Sequence, residues 1–367
     1  MSRGDRPGSR PDTHADDRWR KAAVARRRHD AAATAFAYKY SRKLYDTMTT
    51  GQPKAALICG SVAFDTIMVF QDRFKNHILP DKIHMLNVSF LVPQMRREFG
   101  GCAGNIAYNL MLLGDRGYPM ATVGRDFASY AEWLKKTGVP TDYIRVIESE
   151  HTAQGFVTTD LDDNQIWAFH PGAMQLSHLN QVGDARNISL GIVAPDGRDG
   201  MIQHAAQFAA AGIPFIFDPG QGLPMFSGDD LKAFIKQATW VALNDYEWQL
   251  VQDKTKLSAQ EIAAQVEALI VTRGAEGSVI HTKGREIVIP CAQATVVDPT
   301  GCGDAYRAGL IHGLLHGLDW ETTGRIASLL GAIKIESRGT QNHTFTAAQF
   351  EERFQKSFGM PLTLKAG

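Results

Sequence analysis

Short apolar runs alternate with amphipathic stretches along most of the chain. The runs lie at 55–59, 120–123, 191–194, 214–217, 240–243 and 268–272, each four or five residues long with little polar interruption. Strands covered on both faces have this near-continuous apolar character. Between them the spacing predicts helices over 104–113, where Ile106, Leu110 and Leu113 recur at helical intervals, and over 127–137, 201–211, 228–237 and 258–266. Gly138 stands where a helix would stop in the left-handed region. Residues 278–290 read as a hairpin, a further helix opens at Asp304, and a last helix falls near 322–336. This order predicts an α/β fold with a mostly parallel sheet covered by helices on both faces.

Two segments break the rhythm. Residues 67–99 and about 152–170 alternate apolar and polar positions like exposed antiparallel strands. Both are too polar for the core of such a sheet, and they predict a small β-strand lid able to shut water out of a site. Two ornamental hairpins are the alternative.

Residues 1–31 are rich in Arg, Asp, Ala, Gly and Pro and predict disorder. Residues 32–47 carry Phe36, Tyr38, Tyr40, Leu44 and Tyr45, enough for a short helix. Met48, just before the first strand, is an alternative start. The expected division is an N-terminal extension, 1–47, and one folded domain, 48–363.

Charge and cysteine content narrow the function. Lys and Arg number 39 and Asp and Glu 39, but residues 1–47 hold twelve of the former and six of the latter. The remainder is mildly acidic, which argues against a nucleic-acid surface. No apolar run approaches the ~18–20 residues of a membrane helix, and the N-terminus lacks the apolar core of a secretory signal. Cys59, Cys102, Cys291 and Cys302 form neither a C-x-x-C pair nor zinc-site spacing. A reducing, cytoplasmic setting follows.

The candidate chemistry centres on Asp298-Pro299-Thr300-Gly301-Cys302-Gly303-Asp304, where a helix begins. Gly301 and Gly303 permit a turn that aims several N–H groups at one point, with the positive end of the helix behind them. Asp304 is then placed to accept a hydroxyl proton and is expected to stay ionised there; a tight turn with Asp304 as N-cap is the plainer alternative. Gly100-Gly101-Cys102-Ala103-Gly104-Asn105 also precedes a helix, with Asn105 in its first turn. Asp65 follows the first strand and could hold two vicinal hydroxyls, or be a surface turn residue. Asn244 and Glu247 follow an apolar strand; they suit Mg²⁺ held through water or a capping box. Thr272, Gly274 and Gly277 end another strand and suit a nucleotide's phosphate and ribose, or a turn into the hairpin.

Taken together in this order and spacing, these segments resemble the ribokinase-like (PfkB) carbohydrate kinase family over residues 55 to about 350. Its GGxxxN signature stands at 100–105, its DTxGAGD signature as DPTGCGD at 298–304, and its NxxE motif at 244–247. The chain looks most similar to the bacterial and archaeal nucleoside kinases, often labelled adenosine kinases, through the stretches 162–166, 170–174, 217–221 and 269–272. The resemblance implies a three-layer α/β/α sandwich with a small β-strand lid, and transfer of the ATP γ-phosphoryl group to the 5′-hydroxyl of a purine nucleoside. It implies Asp304 as base, the amides of Gly301, Cys302 and Gly303 as the anion hole, and Asp65, Gly101 and Asn105 at the ribose. Asn244, Thr272, Gly274 and Gly277 fall to ATP, and Asn244 and Glu247 to Mg²⁺. It also puts 337–342 near the adenine or a monovalent-cation (K⁺) site. Pro299 and Cys302 depart from the family's Thr and Ala, at positions where only main-chain groups are used. Phe169 and Met174 are candidates for the base pocket.

Expected partners are a nucleoside and ATP, with no nucleic acid or membrane, in a monomer or homodimer. A sugar kinase of the same family (ribokinase, fructokinase or 2-keto-3-deoxygluconate kinase) is the alternative, followed by a non-catalytic ligand-sensing pseudokinase. A nicotinamide dehydrogenase is disfavoured because no G-x-G-x-x-G follows the first strand.

Overall fold

All five residues of β1 (Ala55–Cys59) are buried, and they feed two different cores. Ala56 and Ile58 join the core on one side of the sheet; Leu57 and Cys59 join the other. The two-residue period of a strand sends alternate side chains to opposite faces, so an uninterrupted apolar run is what a strand between two helical layers requires. The computed structural model describes residues 54–85, 87–162 and 164–364. The extension 1–47, its possible helix and Met48 lie outside the described residues.

Among these residues the main sheet has the order β13-β12-β11-β10-β9-β8-β1-β4-β5. Its other strands are β4 (Arg116–Gly124), β5 (Tyr143–Ile147), β8 (Leu190–Val193), β9 (Phe215–Phe217), β10 (Trp240–Asn244), β11 (Ala268–Thr272), β12 (Ser278–Thr282) and β13 (Arg285–Ile289). The strands from β11 to β5 run parallel, and the β12–β13 hairpin adds two antiparallel strands at one edge. One face carries α1 (Cys102–Leu112), α2 (Ala128–Thr137), α7 (Cys302–His316), α8 (Trp320–Ile335) and α9 (Ala347–Phe358). The other carries α3 (Arg198–Ala211), α4 (Gly228–Gln237), α5 (Asp245–Thr255) and α6 (Ala259–Ala263). This is the expected three-layer α/β/α sandwich.

Three elements differ from the expectation. The chain ends on α9 rather than on the helix near 322–336. Its signal was present: Thr346 and Gln349 form a capping box, and Phe350, Phe354 and Phe358 follow at four-residue intervals. Helix α5 grows from the Asn244–Glu247 capping box. Strand β5 is only partly buried at the sheet edge, so it lacks the apolar run that marked the others.

The lid is a second sheet of order β3-β2-β6-β7, built from β2 (Ala63–Val69), β3 (Gln94–Gly100), β6 (Ala153–Thr159) and β7 (Gln165–His170). It is mixed rather than antiparallel, because β2 pairs with β6 in parallel. The reason is topological: β2 continues from β1 and β6 follows β5, two parallel strands that leave the main sheet at the same end. Strand β2 begins at Ala63, so Asp65 lies within the lid and not in a turn. Residues 74–76 and 80–85 form short 3₁₀ turns rather than strand.

Helix α7 is fixed against α8 by small residues. A Cβ on Gly309 would stand 2.4 Å from Ala327 Cα, and one on Gly313 would meet the Thr323 side chain. At its far end α7 is pinned by buried Asp115, which accepts hydrogen bonds from His312 Nδ1 (2.6 Å) and His316 Nε2 (2.8 Å). We predict that Gly309→Ala costs about 1–3 kcal/mol by forcing the helices apart. Gly331→Ala on α8, whose Cβ would meet nothing closer than Cys302 O at 3.6 Å, should instead gain up to ~1 kcal/mol from helix propensity. Urea unfolding of the two variants checks this; equal effects would contradict the close contact.

Candidate active site

The carboxyl ends of β1, β8, β9, β10 and β11 form one crest, since their registers run in line from Cys59 through Val193, Phe217 and Val241. Beyond this crest α1 and α7 point their N-termini inward. Each starts from a glycine in the left-handed region, Gly101 at φ 84° and Gly301 at φ 79°. A Cβ on Gly101 would lie 2.6 Å from Ala63 N and from Ser61 O, so only glycine fits that turn. Ser61 holds the start of α1: its Oγ accepts from Cys102 N (3.1 Å) and its carbonyl from Ala103 N (2.8 Å).

The two glycine-rich turns meet through side chains. Asn105 Nδ2 donates to Asp304 Oδ2 at 2.8 Å, across 199 residues of chain. Gln341 Nε2 donates to Asn105 Oδ1 (3.0 Å), which fixes the amide so that its NH₂ faces Asp304. Gln341 is itself held, donating to Tyr130 Oη (2.6 Å) and accepting from Trp133 Nε1 (2.8 Å). Burial raises the Asp304 carboxyl to about 6, and Asp218 adds to the rise, against the amide of Asn105 and the charge of Arg307. The helix N-terminus was expected to keep this group ionised, and burial works against that without reversing it. It remains mainly ionised at pH 7. Among the described residues, the N–H groups of Gly301 and Gly303 have no partner, whereas Cys302 N donates to Pro299 O at 3.2 Å.

Asp65 sits opposite Glu98 on β3 and Gly155 on β6. Its carboxylate occupies space that a Cβ on Gly100 or Gly155 would take, at 2.4 Å and 2.7 Å. Burial, then repulsion from Glu98 and Asp298, lifts it to about 6. Phe169 pairs with Gly155 in the same cross-strand row, so it shares Asp65's face of the lid and is exposed there, as is Trp167 two residues earlier. Met174 is half-buried in the 3₁₀ segment that follows.

Asn244 and Glu247 form the capping box of α5: Asn244 Oδ1 accepts from Glu247 N (2.7 Å), and Glu247 Oε2 accepts from Asn244 N (2.8 Å). Glu247 is nevertheless more than a cap. Burial and nearby Asp218 raise its carboxyl, and Arg307 lies 3.8 Å away. Arg307 grips Asp218 bidentately at 2.9 and 3.1 Å. Two carboxylates beside one guanidinium leave a net negative charge, a donor set that fits a hydrated divalent cation. Thr272 is the register partner of Asn244, and Gly274 and Gly277 shape the exposed turn after it.

Asp218, Arg307, Gln341 and Lys334 had no assigned role in the sequence. Arg307 and Lys334 did carry a signal, each being a lone cation inside an apolar helical run.

The chain matches the pfkB family carbohydrate kinase profile over residues 62–347 and belongs to that family. It is 33% identical over 274 residues to a nucleoside kinase of Methanocaldococcus jannaschii, covering 74% of this chain and 90% of the relative. The structure of a Burkholderia thailandensis nucleoside kinase in complex with inosine is similar at TM-score 0.77 and 52% identity, covering 84% of this chain and 99% of that one. The same kinase with ADP-inosine gives 0.75 and 53%, covering 84% and 98%. A Bacillus subtilis ribokinase is 23% identical over 69% of this chain and 86% of its own length.

Because Asp304 is harder to ionise folded than unfolded, its charge opposes folding. That cost is absent below about pH 4, where both states are protonated, and complete above about pH 6. Its size is on the order of 2–3 kcal/mol. We predict that Asp304→Asn melts at a higher temperature than the parent at pH 7.5, with the gap closing towards pH 4. A variant that melts at or below the parent at both pH values would contradict the burial account.

Proposed function

We propose that this chain is an ATP-dependent nucleoside kinase that moves the γ-phosphoryl group of ATP to the 5′-hydroxyl of a purine nucleoside. The observation that carries the proposal is the Asn105–Asp304 hydrogen bond, which joins the two family signatures at the head of α7. The inosine and ADP-inosine complexes of the Burkholderia relative support the nucleoside class.

In this mechanism Asp304 takes the hydroxyl proton as the new P–O bond forms. An alcohol need not ionise first; a positioned acceptor is enough. Asn105, oriented by Gln341, keeps one Asp304 oxygen occupied and leaves the other for the acceptor. The amides of Gly301, Cys302 and Gly303 stabilise charge spread over the migrating group, with Gly301 and Gly303 the more readily available. Removal of one such donor typically costs ~2.7–4 kcal/mol. Asp65 and Gly101 hold the ribose, and Phe169, with Trp167 and Met174, covers the base. Asn244, Thr272, Gly274 and Gly277 hold ATP. Asn244 and Glu247 would hold Mg²⁺ through water, where the ion neutralises phosphate charge.

The lid strands β2, β3, β6 and β7 close over this site within a kinase domain that we take to span 48–363. No helix among the described residues is long and apolar enough to cross a membrane. We read the protein as cytoplasmic, and as a monomer or homodimer. K⁺ is the monovalent ion to vary in assays.

Turnover of adenosine, inosine, guanosine, cytidine and ribose tests the proposal: nucleosides should far exceed ribose, and the reverse order would favour a sugar kinase. Asp304→Asn should lower kcat by at least ~10²-fold with nucleoside binding kept; near-parental turnover would remove it from the base role. With Asp65 and Asp304 both near 6, kcat/KM should fall below about pH 6 with a two-proton slope, reduced to one proton in Asp65→Asn. An unchanged slope in that variant would show that Asp65 does not act in its ionised form.

A further inference from the structure

Lys334 is fully buried near the C-terminal end of α8, in the apolar run 329–335. Lysine is almost never placed so without a partner, because its ammonium loses water. No carboxylate lies within ion-pair distance of Nζ among the described residues. The ammonium instead donates to two main-chain carbonyls, Asp298 O at 2.7 Å and Ser337 O at 3.1 Å. Those carbonyls belong to the two loops that frame the site.

Asp298 opens the turn that carries Gly301, Gly303 and Asp304. Its N–H donates to Ile335 O (3.0 Å), and its carboxylate accepts from Thr300 N and Gly339 N, both at 2.9 Å. Ser337 opens the loop that carries Gln341, which orients Asn105 and through it Asp304. One residue therefore ties the phosphate-facing turn to the loop that aims the base. Burial works against the charged form of Lys334 and lowers its pKa, and the Asp298 carboxylate in the same turn offsets part of that effect.

We propose that Lys334 is a positioning residue for phosphoryl transfer, an internal cation whose carbonyl contacts lock loops 298–304 and 337–341 in one arrangement. This rests on reading 298–304 as the phosphoryl-holding turn. A methionine at 334 fills the same length without charge or donors, so the effect should fall on kcat and leave acceptor binding nearly intact. Alanine leaves a small chamber lined by carbonyls, which an ammonium ion can refill because its donors match those lost.

The test uses the full chain. Lys334→Met should lose at least about tenfold in kcat, a share of the ~10²–10³-fold for an oxyanion donor, with acceptor KM changed little. Its amides at 300–304 and 338–341 should exchange hydrogen faster than the parent's. Lys334→Ala should regain part of its rate in ammonium or methylammonium chloride, whereas Lys334→Met should not. Parental kcat and parental exchange in folded Lys334→Met would overturn the proposal. If the methionine variant does not fold, Lys334→Ala decides: a rate restored by either cation supports the proposal, and no restoration overturns it. A parent that phosphorylates no acceptor would defeat the proposed function instead, and the exchange comparison, which needs no turnover, would still judge Lys334.

Discussion

The arrangement depends on keeping one carboxylate charged where water is scarce. At the head of α7, Asp304 gives up hydration and is compensated only in part, by the Asn105 amide, the nearby Arg307 charge and the Cys102 thiol. A bare buried charge would protonate or unfold the turn. A fully satisfied one would be too stable to accept another proton. The carboxyl near 6 lies between these limits, which would suit the general-base role proposed for it at neutral pH. The surrounding structure maintains that balance: Gln341 aims Asn105, and Trp133 and Tyr130 hold Gln341.

Further carboxylates crowd the same site. Asp65 is pressed by Glu98 and Asp298, and Glu247 by Asp218. In the protein alone this repulsion is unfavourable. Ligand hydroxyls at Asp65 and a hydrated cation at Glu247 would relieve it, so part of the binding energy would come from strain already present. The lid contributes by geometry. Its parallel β2–β6 pair places Asp65, Gly155 and Phe169 in one row, and the glycine between them leaves room for the carboxylate.

Much of this was legible from the sequence where local chemistry leaves a local mark. Runs such as 55–59 and 268–272 became strands buried on both faces, and the glycines at 101 and 301 fell at helix starts with positive φ. Residue pairings distant in sequence were not legible. Nothing near Asn105 announces Gln341, and nothing near Asp304 announces that burial would lift its carboxyl against the helix dipole. Asp65 was legible as a site candidate, and the surface turn that stood as its alternative gives way to strand β2, which starts at Ala63. Helix α9 was missed although Thr346, Gln349 and the Phe350–Phe354–Phe358 spacing marked it. The lone cations Arg307 and Lys334 were visible as anomalies, but their partners are set by tertiary structure alone.

The central claim is that the turn at 301–303 cradles the migrating phosphoryl group while Asp304 receives the acceptor's proton. A crystal structure with ADP, a planar metal fluoride and inosine tests it most directly. The account predicts the fluoride within hydrogen-bond distance of the Gly301 and Gly303 amides, with the 5′-oxygen between it and Asp304. A fluoride bound away from that turn, or a 5′-oxygen out of reach of Asp304, would contradict it.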